Sequence, residues 1–347
     1  MKSSIGILTI VQVIALAQVR ATAQSLFVSD ASRGNIYELT PAGTRSIFAS
    51  SLAPVGVAFD RTGNLYEADY GSGHIYEYTP GGTRSIFASG LNFPVGLAFD
   101  GAGNLFVSDV GNPNGAGFGT IYRFAPNGTR SIFASGLPYP TLGLVFDESG
   151  NLYESDSSGN IFEFSPDGTR STFANGLAAP WGLAFDSVGN LYEADEGSGN
   201  IYEFAPNGMR STFASGLAGP HGLAFDSAGD LFASENLFNI YEFAPNGTRS
   251  SYASGFESPW GLAFAVPEPS AGMLIGLGSI ALLAFRNRRV QLGATAHPVA
   301  TSCHQSAATF SHSDFCFAAQ RAGGADAHCQ NIAAWQSAGA TRECPPP

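Results

Sequence analysis

The first 302 residues contain no cysteine: Cys303, Cys316, Cys329 and Cys344 all fall in the last 45 positions of the 347-residue chain. The body of the protein therefore has no disulfide and is held together by packing. From Gln24 to Ala265 there is no lysine either, and 24 Asp and Glu stand against 9 Arg, a net charge of −15. Such a surface repels phosphate backbones and anionic membranes, which excludes nucleic acid as a partner and leaves cations or neutral glycans. Charged residues are only 13% of the whole, too few for a coiled coil or a disordered polyelectrolyte. The same stretch has no G-x-S-x-G nucleophile elbow, no H-E-x-x-H and no phosphate-cradling glycine loop.

What the chain does have is repetition with a period of about 40 residues, the mark of a repeat architecture. Four short apolar runs, each bounded by Gly, Asn, Asp or Pro as strands are, recur six times. The first is GLAFD or a close variant, ending near Phe59, Phe99, Phe146, Phe185, Phe225 and Phe264. The second is LFVSD, LYEAD or LFASE, beginning at Leu26, Leu65, Leu105, Leu152, Leu191 and Leu231. The third begins at Ile36, Ile75, Ile121, Ile161, Ile201 and Ile240, and the fourth at Arg45, Arg84, Arg130, Arg170, Arg210 and Arg249. P-N-G or P-D-G joins the third and fourth runs in four units, supplying the positive φ of a tight hairpin.

The chain enters this pattern on a second run at Leu26 and leaves it on a first run at Phe264. Joining the ends completes a sixth unit and closes a ring with no free sheet edge. The reading is all-β: a six-bladed β-propeller over residues 25–265, closed by strand exchange between the chain's two ends. The unit PWGLAFDSVGNLYEAD resembles the NHL repeat, and related six-bladed propellers include the gluconolactonase or senescence-marker lactonases and the strictosidine-synthase-like proteins. That group holds enzymes and binding scaffolds alike. A pairing of Glu203 with Arg210, repeated in the other units, is expected on the outer strands.

Both ends look like addresses. Residues 1–23 read as a secretory signal: Met1-Lys2, an apolar core from Ile5 to Val19, and Ala21-Thr22-Ala23 as the cleavage site. Near the other end Pro267-Glu268-Pro269 precedes an apolar run, 271–285, and then Arg286, Arg288 and Arg289. A helix over those residues is about 22 Å long, short for a ~30 Å hydrocarbon core. This segment, 266–289, resembles the PEP-CTERM sorting signal. The resemblance implies an exosortase-type processing enzyme as partner, transient passage through the inner membrane by 271–285, and delivery to the cell envelope, often beside exopolysaccharide. The tail 290–347 has no hydrophobic period and reads as disordered.

On one side of the disc lie the loops before the first run and the hairpins after the second. There the second runs end in Asp30, Asp69, Asp109, Asp156, Asp195 and Glu235, read as turn caps. There too P-x-G carries Val55, Val95, Trp181, His221 and Trp260, with P-T-L-G in one unit. Trp181, His221 and Trp260 occupy equivalent sites in consecutive units, so they are expected together at the channel mouth, as a ligand rim or as a packed plug. PHGLAFDSAGDLFASEN (220–236) also resembles a repeat of virginiamycin B lyase, a seven-bladed family; that resemblance implies His221 and Glu235 in metal-dependent chemistry. Two functions follow. One is a non-catalytic exported scaffold with no cofactor, binding a polysaccharide or another envelope component at Trp181, His221 and Trp260. The other is a lyase or lactonase using His221 and Glu235, with Ca or Mg held near Asp195 and Glu235.

Overall fold

The computed structural model describes residues 24–111, 119–137, 141–236 and 238–266. The signal peptide, the sorting residues from Pro267 on, the 271–285 span and the 290–347 tail lie outside the described residues. The chain divides into two units, 1–275 and 276–347, and every described residue belongs to the first.

The sequence runs become twenty-four strands in the described residues. Blade I takes β1 (Leu26–Asp30), β2 (Asn35–Leu39) and β3 (Arg45–Ser50); blade II is β4 (Pro54–Phe59), β5 (Leu65–Asp69), β6 (His74–Tyr78) and β7 (Arg84–Ala88). Blade III is β8 (Pro94–Phe99), β9 (Leu105–Asp109), β10 (Gly119–Phe124) and β11 (Arg130–Leu137). Blade IV is β12 (Thr141–Phe146), β13 (Leu152–Asp156), β14 (Ile161–Phe164) and β15 (Arg170–Ala174). Blade V is β16 (Pro180–Phe185), β17 (Leu191–Asp195), β18 (Asn200–Phe204) and β19 (Arg210–Ala214). Blade VI is β20 (Pro220–Phe225), β21 (Leu231–Glu235), β22 (Asn239–Phe243) and β23 (Arg249–Ser254), after which β24 (Pro259–Phe264) returns to blade I.

That last strand pairs antiparallel with β1, Leu26 opposite Phe264 and Phe27 opposite Ala263, so blade I reads β24-β1-β2-β3. The expected closure by the chain's two ends is present. The Ala265 amide donates to Ser25 O at 3.0 Å and Gln24 Nε2 to Ala265 O at 2.7 Å, extending the seam one residue beyond the strands.

Each blade lays one face on the next, and six apolar clusters fill the six interfaces. The second residue of each second strand is their aromatic centre. Tyr192, for example, meets Phe213 of its own blade and Phe225 of the next edge-on, at 5.1 and 5.0 Å. The same trio recurs around Phe27, Tyr66, Phe106, Tyr153 and Phe232. Edge-to-face geometry sets the aromatic quadrupoles favourably, adding about 0.5–1.5 kcal/mol per pair beyond area burial.

The P-x-G glycines are fixed by crowding at the axis. A Cβ built on Gly182 would lie 2.1 Å from His221 O, and on Gly222 2.0 Å from Trp260 O. The equivalent contacts run on through Gly261, Gly56, Gly96 and Gly143, each against the next blade's mouth residue. Only hydrogen fits between neighbouring inner strands, which is why this position is glycine in every blade.

The outer strands correct one expectation. Arg210 does not pair with Glu203; its guanidinium lies over the Tyr202 ring, 4.9 Å from the centroid. Side chains alternate across a strand, so Tyr202 and the Phe204 that Arg210 faces share one side of the sheet, and Glu203 is on the other. Arg45, Arg84, Arg130, Arg170 and Arg249 stack in the same way. Three of these arginines also donate to backbone oxygens at the outer edge of the preceding blade, as Arg84 does to Ser50 O at 3.0 Å. They latch blade to blade.

Candidate functional site

The P-x-G segment, Thr141-Leu142-Gly143 in blade IV, is bulged in all six blades. Pro180 faces Asp195 and Leu183 faces Glu193, so Trp181 and Gly182 together oppose Ala194 alone. The same shift occurs at the other five inner strands. A bulge breaks the alternation of side chains and re-aims one of them, here the residue between Pro and Gly, toward the axis. Val55, Val95, Leu142, Trp181, His221 and Trp260 ring the mouth, above the six glycines and a ring of Val57 and five leucines. The channel itself is narrow, about 150 Å³, and apolar along its side chains.

Trp181, His221 and Trp260 come together as expected. The His221 ring stacks on Trp260, centroids 4.4 Å apart and planes 23° from parallel, and lies 5.1 Å from Trp181. The two indoles meet edge to face at 4.6 Å. His221 is the buried member at 3% exposure, whereas both tryptophans keep part of their surface open. His221 is buried against the two indoles, which keep part of their own surface exposed. Above them opens a bowl of about 510 Å³. Its walls are aliphatic on the side of blades II to IV (Val55, Val95, Leu142) and aromatic on the side of blades V and I.

Glu196 is the site residue that the sequence reading missed. Trp181 Nε1 donates to Glu196 Oε2 at 2.6 Å, and the other oxygen, Oε1, lies 3.5 Å from His221 Nε2. Among the described residues neither His221 nitrogen makes a hydrogen bond. Burial pushes the imidazole below the ordinary histidine value, against a weaker upward pull from Glu196, so His221 is neutral near pH 7. A signal for Glu196 was available: the residue after each capping acid varies (Ala31, Tyr70, Val110, Ser157, Glu196, Asn236), as the P-x-G residue does, and five of these six line the bowl.

Tyr70 is held at the bowl's edge by Phe93, 4.7 Å away at 32°. Phe93 has φ 64° at a linker position where blade VI uses Gly219. The left-handed conformation costs a residue with a Cβ about 1 kcal/mol.

The structure does not bring Glu235 to His221. Its carboxylate accepts from the Ala218 amide and from Asn239 Nδ2. Asp195 likewise accepts from the amides of Ala178 and Ser198, at 2.7 and 2.9 Å. Asp30, Asp69 and Asp109 make the same two-sided contact, holding their own hairpin and the linker entering the blade. Asp156 caps its hairpin through Ser158 and Asn160. These acids are caps, as expected, and their reach to the linker is an additional blade-to-blade tie.

Calcium takes six to eight oxygen ligands and magnesium six. The mouth presents valines, a leucine, two indoles and one imidazole; the capping acids around it are engaged by backbone amides, and Glu196 by the Trp181 indole N–H. Among the described residues no three His, Cys, Asp or Glu side chains gather as a metal set. The residues present do not fit the calcium implied by the lactonase resemblance, nor a metal at Asp195 and Glu235. A larger depression of about 1080 Å³ lies on the opposite face; turn acids such as Asp60, Asp100 and Asp147 line it, engaged by their own turn amides.

Three further glutamates are buried in blade interfaces, one position before the Ser or Ala of their second strands: Glu67, Glu154 and Glu193. Glu67 accepts from Ser51 Oγ and from Tyr78 OH. Among the described residues Glu154 and Glu193 have no hydrogen-bond partner for either oxygen. Burial pushes Glu154 up to about 8, so it holds its proton near neutral pH, and pushes Glu193 well above the ordinary carboxyl range.

Comparison with known proteins agrees with this architecture. A profile of the PEP-CTERM protein-sorting motif matches residues 265–289, which marks the chain for export to the cell envelope with an exosortase as processing partner. No curated protein sequence matches the chain. Among solved structures it is similar to virginiamycin B lyase from Staphylococcus aureus, at 15% identity and a TM-score of 0.54 over 72% of this chain and 93% of that one. It is similar to a gluconolactonase from Xanthomonas campestris, at 19% identity and a TM-score of 0.55 over 70% and 88%. A protein of unknown function from Bacteroides caccae gives 14% and a TM-score of 0.57 over 71% and 100%. At these identities the likeness is one of fold. The profile of the SMP-30/gluconolactonase/LRE-like region matches residues 18–213, more than half of the sequence, and the chain belongs to that family.

Proposed function

We propose that the protein is an exported, non-catalytic binding propeller that takes a small organic ligand in the bowl at its mouth. The observation that carries this reading is the convergence of Trp181, His221 and Trp260 from three blades beneath an apolar bowl of about 510 Å³. A concave site of this size, mostly apolar with few polar groups, suits a ligand with an apolar face. An exopolysaccharide is disfavoured in this bowl, because among the described residues Tyr70, Ser157 and Glu196 are its only polar lining side chains apart from the indoles, whose N–H groups already donate to Glu196 and Ser258. The described chain ends at Ala265 and Val266, past the far end of β24, so it leaves on the face opposite the bowl.

The test is binding of a neutral, polarity-sensitive dye to the full-length protein and to a Trp181→Ala/Trp260→Ala variant. Micromolar binding lost in the variant is expected; equal binding by both would remove the mouth as the site. A second reading, an acid–base reaction on a lactone or cyclic ester, is favoured by family membership and by His221 lying beside Glu196. It predicts hydrolysis or elimination abolished in His221→Ala. The binding reading predicts no turnover in either protein.

A further inference from the structure

We propose that the ligand of the bowl is an organic cation, a quaternary ammonium or protonated amine on an apolar frame, with its charge at Glu196 and its frame against Trp181, Trp260 and Tyr70. The inference rests on the mouth being the binding site and adds the chemical class of what it holds.

Glu196 is the one charged side chain lining the bowl, and residues 112–118 and 138–140 contain no charged residue either. It is about one-third exposed, and the Trp181 indole N–H fixes one of its oxygens at 2.6 Å. Its other oxygen has a neutral imidazole as neighbour, because burial keeps His221 unprotonated. Among the described residues no cation balances it. On the hairpins and linkers of this face the only Lys or Arg among the described residues is Arg33, 3.6 Å from Glu257. The strand-four arginines lie over the rings of the third strands instead. A preorganised carboxylate without a counterion, at the edge of an apolar bowl, is complementary to a positive group.

The aromatic walls point the same way. Indole is the best aromatic partner for a cation, and two indoles at 4.6 Å with Tyr70 across the bowl offer partly exposed ring surface to it. A neutral ligand would use the walls but leave Glu196 unpaired, and an anion would meet a region of net charge −15 with its capping acids around the mouth.

The experiment compares choline with its uncharged isostere 3,3-dimethylbutan-1-ol, titrated into the full-length protein by calorimetry at low salt. Choline is expected to bind at least about tenfold more tightly. That preference should vanish in Glu196→Gln, whose amide oxygen still accepts the Trp181 N–H, and choline binding should be lost in Trp181→Ala/Trp260→Ala. Retained dye binding in Glu196→Gln shows that the bowl is intact. Equal affinity for the two probes, a preference that survives Glu196→Gln, or dye binding without choline binding would each overturn the cation and leave the mouth standing. Dye binding indifferent to the two tryptophans would overturn the mouth reading itself.

Discussion

At the scale of single residues the six near-copies work as an internal experiment. Glu67, Glu154 and Glu193 occupy one position of the repeat, yet only Glu67 has partners. The reason is local: the linker before blade II is one residue shorter, which puts Ser51 where other blades place a buried Leu or Phe, and β6 ends in Tyr78 where β14 and β18 end in Phe164 and Phe204. Glu154→Val, the residue found at 107 in blade III, is therefore expected to stabilise the protein by about 3 kcal/mol at pH 8. The folded chain holds the Glu154 proton up to about pH 8, whereas the unfolded chain releases it near the ordinary 4.5. Ionisation of the unfolded chain thus draws stability away between those pH values, and the gain from Glu154→Val should shrink steadily as pH falls toward 4.5. Thermal melts at pH 5 and pH 8 read this directly; a gain of the same size at both would contradict the assignment. Glu67→Val should do the reverse and cost about 1–3 kcal/mol, because it strands the buried Tyr78 hydroxyl. None of this was legible in the sequence, where the three LYE segments look alike. Their difference lies in Ser51 and Tyr78, distant in sequence and joined only by the fold.

At the scale of elements, the strand order and turns were legible because each is written six times. Chance patterning does not repeat with a constant period. The bulge at P-x-G was not read, although it decides where Trp181, His221 and Trp260 point. Its signature is a Pro that cannot donate to the ladder and a Gly that admits the neighbouring backbone. Gly222→Ala should lower stability by about 3 kcal/mol, since the new Cβ meets Trp260 O at 2.0 Å, whereas Gly208→Ala, with nothing within 4 Å of its Cβ, is strained only by its positive φ and should cost about 1 kcal/mol. Urea midpoints of the two variants separate crowding from conformational strain. A second device at this scale is the serine of the second strand. Ser234 Oγ takes the Gly222 amide and donates to Trp260 O, tying blade VI to blade I; Ser29, Ser108 and Ser155 do the same. Blades II and V have Ala68 and Ala194 there, so Ala194→Ser is expected to add about 1 kcal/mol by clamping His221 O. The pairing of Glu203 with Arg210 misread this scale, because it set two residues seven apart in sequence together without asking which side of the sheet each faces.

For the molecule as a whole, the arrangement depends on two ends meeting. Trp260 belongs to β24, the last strand, so the aromatic half of the mouth is complete only when that strand docks on β1. The candidate cleavage points flank the seam: Gln24 follows the proposed signal peptide and bonds Ala265, and the sorting motif's Pro267 comes two residues later. Processing at both places would leave the closure intact. The phase of the repeat made this legible, since a pattern that starts on a second strand and stops on a first leaves one blade short of its first strand, and only the last strand can complete it. The absence of cysteine before residue 303 makes the closure directly measurable. In a Ser25→Cys/Ala265→Cys variant expressed as residues 24–266, oxidation should give a monomer with one internal disulfide that survives a single backbone cut as one covalent species. Free thiols under oxidising conditions, or disulfides only between molecules, would show that the two ends do not share a blade, and the mouth with its aromatic cluster would have no basis.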